Sequence, residues 1–213
     1  MAAPLTIFVM VGEPSGDVLA AEAIAELRKQ TDRPIDLIGV GGEALAREGL
    51  ESLFSMSDMT VMGIAEVVPR IPLLLRRIRQ TANAVAELKP DLVLSVDAPD
   101  YVFRVHKRLK KMGVDAPQVH WVAPTVWAWR PGRAKKIAKF LDHLLVLYPF
   151  EPDYFEREGL ATTMVGHPVV NRLREPKEDL RSGLGLTDEQ PVLVCFPGSR
   201  HSEISRLLPI FEG

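Results

Sequence analysis

A single cysteine, Cys195, is all that a chain of 213 residues offers, so no disulfide can form within it. Cys195 sits in the apolar run Val192-Leu193-Val194-Cys195-Phe196 and reads as a buried thiol in a reducing compartment. An excess of charge of one sign is also missing. The 26 basic residues face 28 acidic ones for a net charge of −2, which excludes whole-protein attraction to nucleic acid or anionic lipid and leaves room only for local basic patches. No apolar run approaches the roughly 20 residues that span a bilayer. The start, Met1-Ala2-Ala3-Pro4, lacks the basic segment and cleavage pattern of a signal peptide. The sequence therefore predicts a cytoplasmic protein, neither secreted nor transmembrane. Its histidines, at 106, 120, 143, 167 and 201, are scattered without an HxxxH pair, and there is no Asp-x-Asp pair, so the expectation is chemistry without a metal or other cofactor.

What the chain does have is a 46% hydrophobic content arranged in short runs. Leu5–Val11, Ile35–Val40, Leu92–Val96 and residues 119–122, 144–147 and 192–196 are candidate strands. Several are continuously apolar, as strands covered on both faces are. Helical periodicity lies between most of them: Ala20, Ala23, Ile24 and Leu27 form one stripe, and Ile71, Leu74, Leu75, Ile78, Ala82 and Val85 a longer one that runs to Leu88 and stops before Pro90. This alternation predicts an α/β fold with a doubly wound, mostly parallel sheet. Residues 171–190 turn polar, with Pro176 inside and Pro191 just after, and read as a linker. Residues 191–213 hold one strand, the turn Pro197-Gly198-Ser199-Arg200 and the start of a helix, too little for a core of their own. The expectation is a domain over residues 1–170, a linker, and the opening fragment of a truncated second domain.

In such sheets ligands sit beyond the carboxyl ends of the strands, so the loops there carry the candidates. After the first strand, Gly12-Glu13-Pro14-Ser15-Gly16-Asp17 supplies two glycines for a tight turn, with Ser15 or Asp17 as helix cap and Glu13 facing a polar partner such as a sugar hydroxyl. It has neither the GxGxxG spacing nor the lysine of a triphosphate loop. After the fourth, Asp97 stands half-buried at the strand end, where a carboxylate serves as a general base or a structural acceptor, and Asp100 falls at the start of the next helix. After the fifth come His120, Trp121, Trp127 and Trp129, either aromatic packing or a wall against sugar rings and acyl chains. The following Arg133, Lys135, Lys136 and Lys139 read as the solvated face of a helix, and nucleic acid is not expected because that basic run stands alone. At Ser199 and Arg200, a hydroxyl, a guanidinium and backbone N–H groups at a helix start make a phosphate-binding turn.

These loops, together with Val61-Met62-Gly63-Ile64-Ala65-Glu66-Val67, Thr125-Val126-Trp127-Ala128-Trp129-Arg130 and Gly166-His167-Pro168, resemble the lipid-A-disaccharide synthase family in the same order along the whole chain. The resemblance implies a Rossmann-like N-terminal half of a two-domain GT-B glycosyltransferase that is inverting and metal-independent. It implies a UDP-2,3-diacylglucosamine donor, a 2,3-diacylglucosamine 1-phosphate acceptor and release of UDP, at the cytoplasmic face of the Gram-negative inner membrane. On that resemblance Asp97 matches the general base for the acceptor's 6-hydroxyl, Glu13 and Ser15 the acceptor-side loop, and Arg200 the phosphate turn. Asp100, His120, Trp127 and Ser199 are further substrate-binding candidates. Met62, Leu73, Leu74, Arg76 and Arg77 would meet the membrane or acyl chains. Residues 191–213 would begin the nucleotide-sugar half. Tyr101-Val102 departs from the Phe-Asn of many members, and the uridine-binding residues would lie beyond Gly213. Homodimer formation, another GT-B enzyme such as a UDP-N-acetylglucosamine epimerase, and a noncatalytic lipid- or sugar-binding domain stay open on the residues alone.

Overall fold

Backbone hydrogen bonds gather seven strands into one sheet, every pair of neighbours parallel, in the order β3-β2-β1-β4-β5-β6-β7. The computed structural model describes residues 3–59, 64–128, 130, 132–172, 180–187, 189–198 and 201–212. The strands are β1 (Leu5–Val11), β2 (Ile35–Val40), β3 (Glu51–Ser52), β4 (Leu92–Val96), β5 (Gln118–Trp121), β6 (His143–Val146) and β7 (Ala161–Met164). Between them run α1 (Pro14–Gln30), α2 (Glu43–Arg47), α3 (Ile64–Leu88), α4 (Pro99–Met112), α5 (Gly132–Ile137) and α6 (Pro152–Glu156). The chain divides into two units, Met1–Val170 and Asn171–Gly213.

The continuous apolar runs have the cause their pattern implied. Ile7, Phe8, Val9, Met10 and Val11 are all fully buried, with alternate side chains on opposite faces. Phe8 and Met10 join α3, α4 and α5 residues such as Ala82, Val102 and Ile137. Ile7, Val9 and Val11 join Ala20, Ile24 and Leu45 from α1 and α2. Each large side chain buried this way contributes about 1.5–3 kcal/mol. The short pieces β3 and β7 were not foreseen. One spans only two residues, and the edge strand β7, Ala161-Thr162-Thr163-Met164, is largely exposed, so neither shows an apolar run.

The long stripe on α3 divides in two. Ile78, Ala82 and Val85 enter the core, whereas Ile71 and Leu75 stay 43% and 41% exposed. The helix stops at Leu88 because Lys89 turns to φ 46° and Pro90 follows.

Asp17 does a different job from the cap expected of it. It is buried, and its carboxylate accepts backbone N–H groups from Gly42 at 2.7 Å, Ala44 at 2.8 Å and Leu45 at 3.4 Å. It thus closes the N-terminus of α2 from the side of α1, where negative charge also suits the helix dipole. Replacing it by Ala strands these donors, so Asp17→Ala is expected to cost about 2–3 kcal/mol, read as a lower urea midpoint with an unchanged slope. Asn, which keeps one acceptor oxygen, should lose less.

In the second unit, α7 (Val169–Arg172) reaches across the division, followed by α8 (Leu180–Gly183) and α9 (His201–Glu212). The strand expected at 192–196 is not formed: residues 191–198 have no regular structure, and Leu193 and Phe196 are 89% and 85% exposed. Cys195, expected buried, is exposed with them. The reason is physical: a strand exists through its hydrogen-bonded neighbours, and this segment has none among the described residues.

Candidate functional site

Strand order reverses between β1 and β4: from β1 the chain steps outward to β2 and β3, then crosses back to β4 and on to β7. A crevice opens at the carboxyl ends of two strands that diverge in this way, and ligands of doubly wound sheets bind there. The two loops at that point are residues 12–13 after β1 and 97–98 after β4. The first is shorter than the sequence suggested, because α1 already starts at Pro14 and puts Ser15, Gly16 and Asp17 in its first turn.

Glycine lets the two loops touch. A Cβ on Gly12 would lie 2.7 Å from the Cβ of Ala98, and one on Gly16 would lie 3.0 Å from the Val96 carbonyl oxygen and 3.5 Å from the Asp97 Cβ. Both are closer than, or at the limit of, van der Waals contact, so a side chain at either position would force the loops apart. The spacing of the two glycines therefore serves approach to Asp97 as well as the turn.

Asp97 is half-buried, as expected, and held in a left-handed conformation at φ 55°, with Ala98 beside it at φ 46°. Among the described residues five non-glycines have positive φ, and four of them, Asp97, Ala98, Val122 and Arg130, lie in the loops after β4 and β5. Such conformations cost about 1–3 kcal/mol each and concentrate where function demands a particular aim. The Asp97 N–H donates to the Trp121 carbonyl at 3.0 Å, tying the β4 loop to β5. Its Oδ2 accepts from the Ser15 hydroxyl at 3.4 Å. Ser15 is exposed and does not cap α1; Glu13, partly buried, is the residue before the helix, and its side chain makes no cap hydrogen bond. Ser15 and Asp97 thus meet at the strand-order reversal, and Glu13 belongs to the same first loop.

The other candidates are placed differently. Asp100 sits in the first turn of α4, its side chain in solvent and its Oδ1 3.9 Å from Nη2 of the half-buried Arg133, a long pair of little energetic weight. His120, expected to touch substrate, is fully buried instead. Its Nδ1 is 2.7 Å from Ser95 Oγ, which is also 2.7 Å from His106 Nε2, and His106 Nδ1 continues to Gln118 Oε1 at 2.8 Å. Burial, reinforced for His120 by the neighbouring His106, pushes both imidazoles down, to about 4 for His106 and about 3 for His120. This polar chain lies inside the sheet–helix layer and ties β4, β5 and α4 together. Trp127 packs against the core while its ring meets Phe150 edge-on at 5.0 Å, so packing and a partly open aromatic face are both present.

Of the expected membrane or acyl contacts, Leu73 and Leu74 are half-buried and Arg76 is exposed. Arg77 is otherwise engaged: it bonds Asp58 Oδ2 at 2.7 Å, lies 4.6 Å over the Phe54 ring and is only 21% exposed, so it braces α3 rather than facing outward. Met62, Ser199 and Arg200 lie outside the described residues. No three His, Cys, Asp or Glu come together as a metal site among the described residues, and no helix there is long and apolar enough to cross a membrane.

A family model described as lipid-A-disaccharide synthetase matches residues 7–213. A lipid-A-disaccharide synthase of Rhodospirillum centenum is 53% identical over 210 residues, covering 98% of this chain and 52% of that protein. Another, of Ruegeria pomeroyi, is 48% identical over 97% of this chain and 52% of its own length. The chain spans about half the length of the curated relatives it matches. Among solved structures, a UDP-GlcNAc 2-epimerase from Neisseria meningitidis bound to UDP-GlcNAc is 14% identical with a TM-score of 0.49, covering 80% of this chain and 47% of that one; so distant a likeness distinguishes no activity.

Proposed function

The chain belongs to the lipid-A-disaccharide synthase family, and from that premise we propose that it forms the acceptor half of a glycosyltransferase of lipid A biosynthesis. The reaction joins UDP-2,3-diacylglucosamine to 2,3-diacylglucosamine 1-phosphate and releases UDP. Asp97 takes the proton of the acceptor's 6-hydroxyl as that oxygen attacks the anomeric carbon of the donor. The new O–C bond forms as the bond to the diphosphate breaks, and UDP departs with the electron pair, inverting the anomeric centre without a metal. Glu13 and Ser15 orient the acceptor beside the base. Ser199 and Arg200 neutralise the departing diphosphate, in a nucleotide-sugar half that opens at residue 191. The exposed Ile71 and Leu75, with Leu73, Leu74, Arg76 and the Met62 segment, rest on the cytoplasmic face of the inner membrane and admit acyl chains.

One observation carries this reading: a half-buried carboxylate at the strand-order reversal, in a strained loop that two glycines allow the first loop to touch. The test is an assay of the complete reading frame with both acylated substrates, following UDP and disaccharide 1-phosphate together. Equimolar formation of the two is expected. Donor consumption without a disaccharide, or epimerisation of the donor, would remove the assignment.

A further inference from the structure

A cleft of about 860 Å³ opens between α4 and α5, and its lining is strongly cationic. Arg104 and Lys107 project into it from α4, Arg130 comes from the preceding loop, and Arg133 and Lys136 from α5, against the single carboxylate of Asp100. In a chain whose net charge is −2, five cations to one anion in one cleft is a local concentration, and it forms no run in the sequence because two helices and a loop supply it. The pairs 104/107 and 133/136 each stand three positions apart, on one helix face. Aromatic rings steady them: Lys107 Nζ lies 5.3 Å from the centre of the Phe140 ring and the Arg133 guanidinium 5.7 Å from that of Phe103. Asp100 meets Arg133 at 3.9 Å, while Arg104, Lys107 and Lys136 have no carboxylate partner among the described residues.

An apolar groove of about 440 Å³ adjoins this cleft, lined by Met59, Ile71, Leu74, Leu75, Ile78 and Tyr101, and it shares Asp100 and Arg104 with it. Cations on one side of Arg104 and hydrocarbon on the other match a ligand that carries both an anion and an acyl chain. Pro99, two residues along the chain from Asp97, lies on the cleft wall, so the start of α4 serves both the base's loop and the cleft.

We propose that the α4–α5 cleft binds the phosphate monoester of the acceptor, with an acyl chain of the same molecule in the groove along α3. This rests on the reading above, which supplies an acceptor with both features. C1 and C5 of a glucosamine ring both flank the ring oxygen, so anchoring the phosphate on C1 in the cleft restricts where the hydroxyl on C6 can lie and pre-orients it for a base near the cleft. Guanidinium and ammonium donors suit a phosphate's three oxygens, and several together discriminate it from an uncharged hydroxyl.

The experiment uses the full-length enzyme and two soluble probes, glucosamine 1-phosphate and glucosamine, measured by equilibrium titration. The wild type should bind the phosphorylated sugar at least tenfold more tightly. Lys107→Gln with Lys136→Gln, both at exposed positions, should weaken glucosamine 1-phosphate about tenfold or more, leave glucosamine unchanged, and raise KM for the acylated acceptor in parallel. The charge-keeping pair Lys107→Arg with Lys136→Arg should retain the affinity, which separates lost charge from lost fold. Equal binding of the two sugars by the wild type overturns the proposal. So does a double variant that loses pelleting with anionic phospholipid vesicles but keeps its affinity for glucosamine 1-phosphate, since the cleft would then serve the bilayer surface. Because sugar binding is read without turnover, phosphate-selective binding in a protein that fails to make disaccharide would support the cleft and sink only the assigned reaction.

Discussion

Acidification below pH 6.5 is expected to strip stability from this fold, because two buried histidines resist the protons that the unfolded chain takes up. His106 and His120 sit side by side around Ser95, fully buried, and burial holds both imidazoles neutral, with values near 4 and 3. The unfolded chain presents ordinary imidazoles that protonate near pH 6.5. Above that value neither state binds the protons and the histidines leave stability flat. Below it the unfolded state gains protons that the fold refuses, so stability falls with pH until the folded values are reached. By pH 4.5 the pair alone removes a substantial part of a domain's stability. Urea midpoints at pH 7.0 and 5.0 check this: the wild type should drop steeply, and His106→Gln should flatten the decline. A midpoint independent of pH over that interval would show that the imidazoles are not held neutral.

Asp97→Asn in the full-length enzyme is expected to lower kcat by about two to four orders of magnitude, the usual worth of a positioned general base. Asn matches the carboxylate in shape and can still accept from the Ser15 hydroxyl, but it takes no proton at working pH. The strained φ of 55° is tolerated by Asn at least as well as by Asp, so the loop should keep its form. Ser15→Ala removes only a 3.4 Å contact to the same oxygen and should cost a few-fold at most. A large loss at Ser15 with a small one at Asp97 would reverse their roles.

Much of this architecture was legible because a fully covered parallel strand writes itself as an unbroken apolar run. β1, β2 and β4 came out at their observed limits, β5 and β6 within a residue. The edge pieces β3 and β7 did not, since exposed edges need no such run. The run at 192–196 misled for the opposite reason: apolar composition does not make a strand without a neighbour. At the crevice, Asp97 and the first loop could be found from strand ends alone. That His120 turns inward, that Asp17 reaches across to α2, and that Arg77 belongs to Asp58 depend on which elements meet, which spacing along one segment does not encode. The cationic cleft is hidden likewise, because its cations are divided among α4, α5 and the loop before α5.

The central claim is that Asp97 takes the acceptor's proton rather than merely shaping the crevice. Single-turnover transfer in the full-length Asp97→Asn enzyme, with 2,3-diacylglucosamine 1-phosphate bound beforehand at saturation, tests it most directly. The account predicts acceptor affinity within a few-fold of wild type and a chemical step slowed at least a hundredfold. Transfer at the wild-type rate from the prebound complex would contradict it.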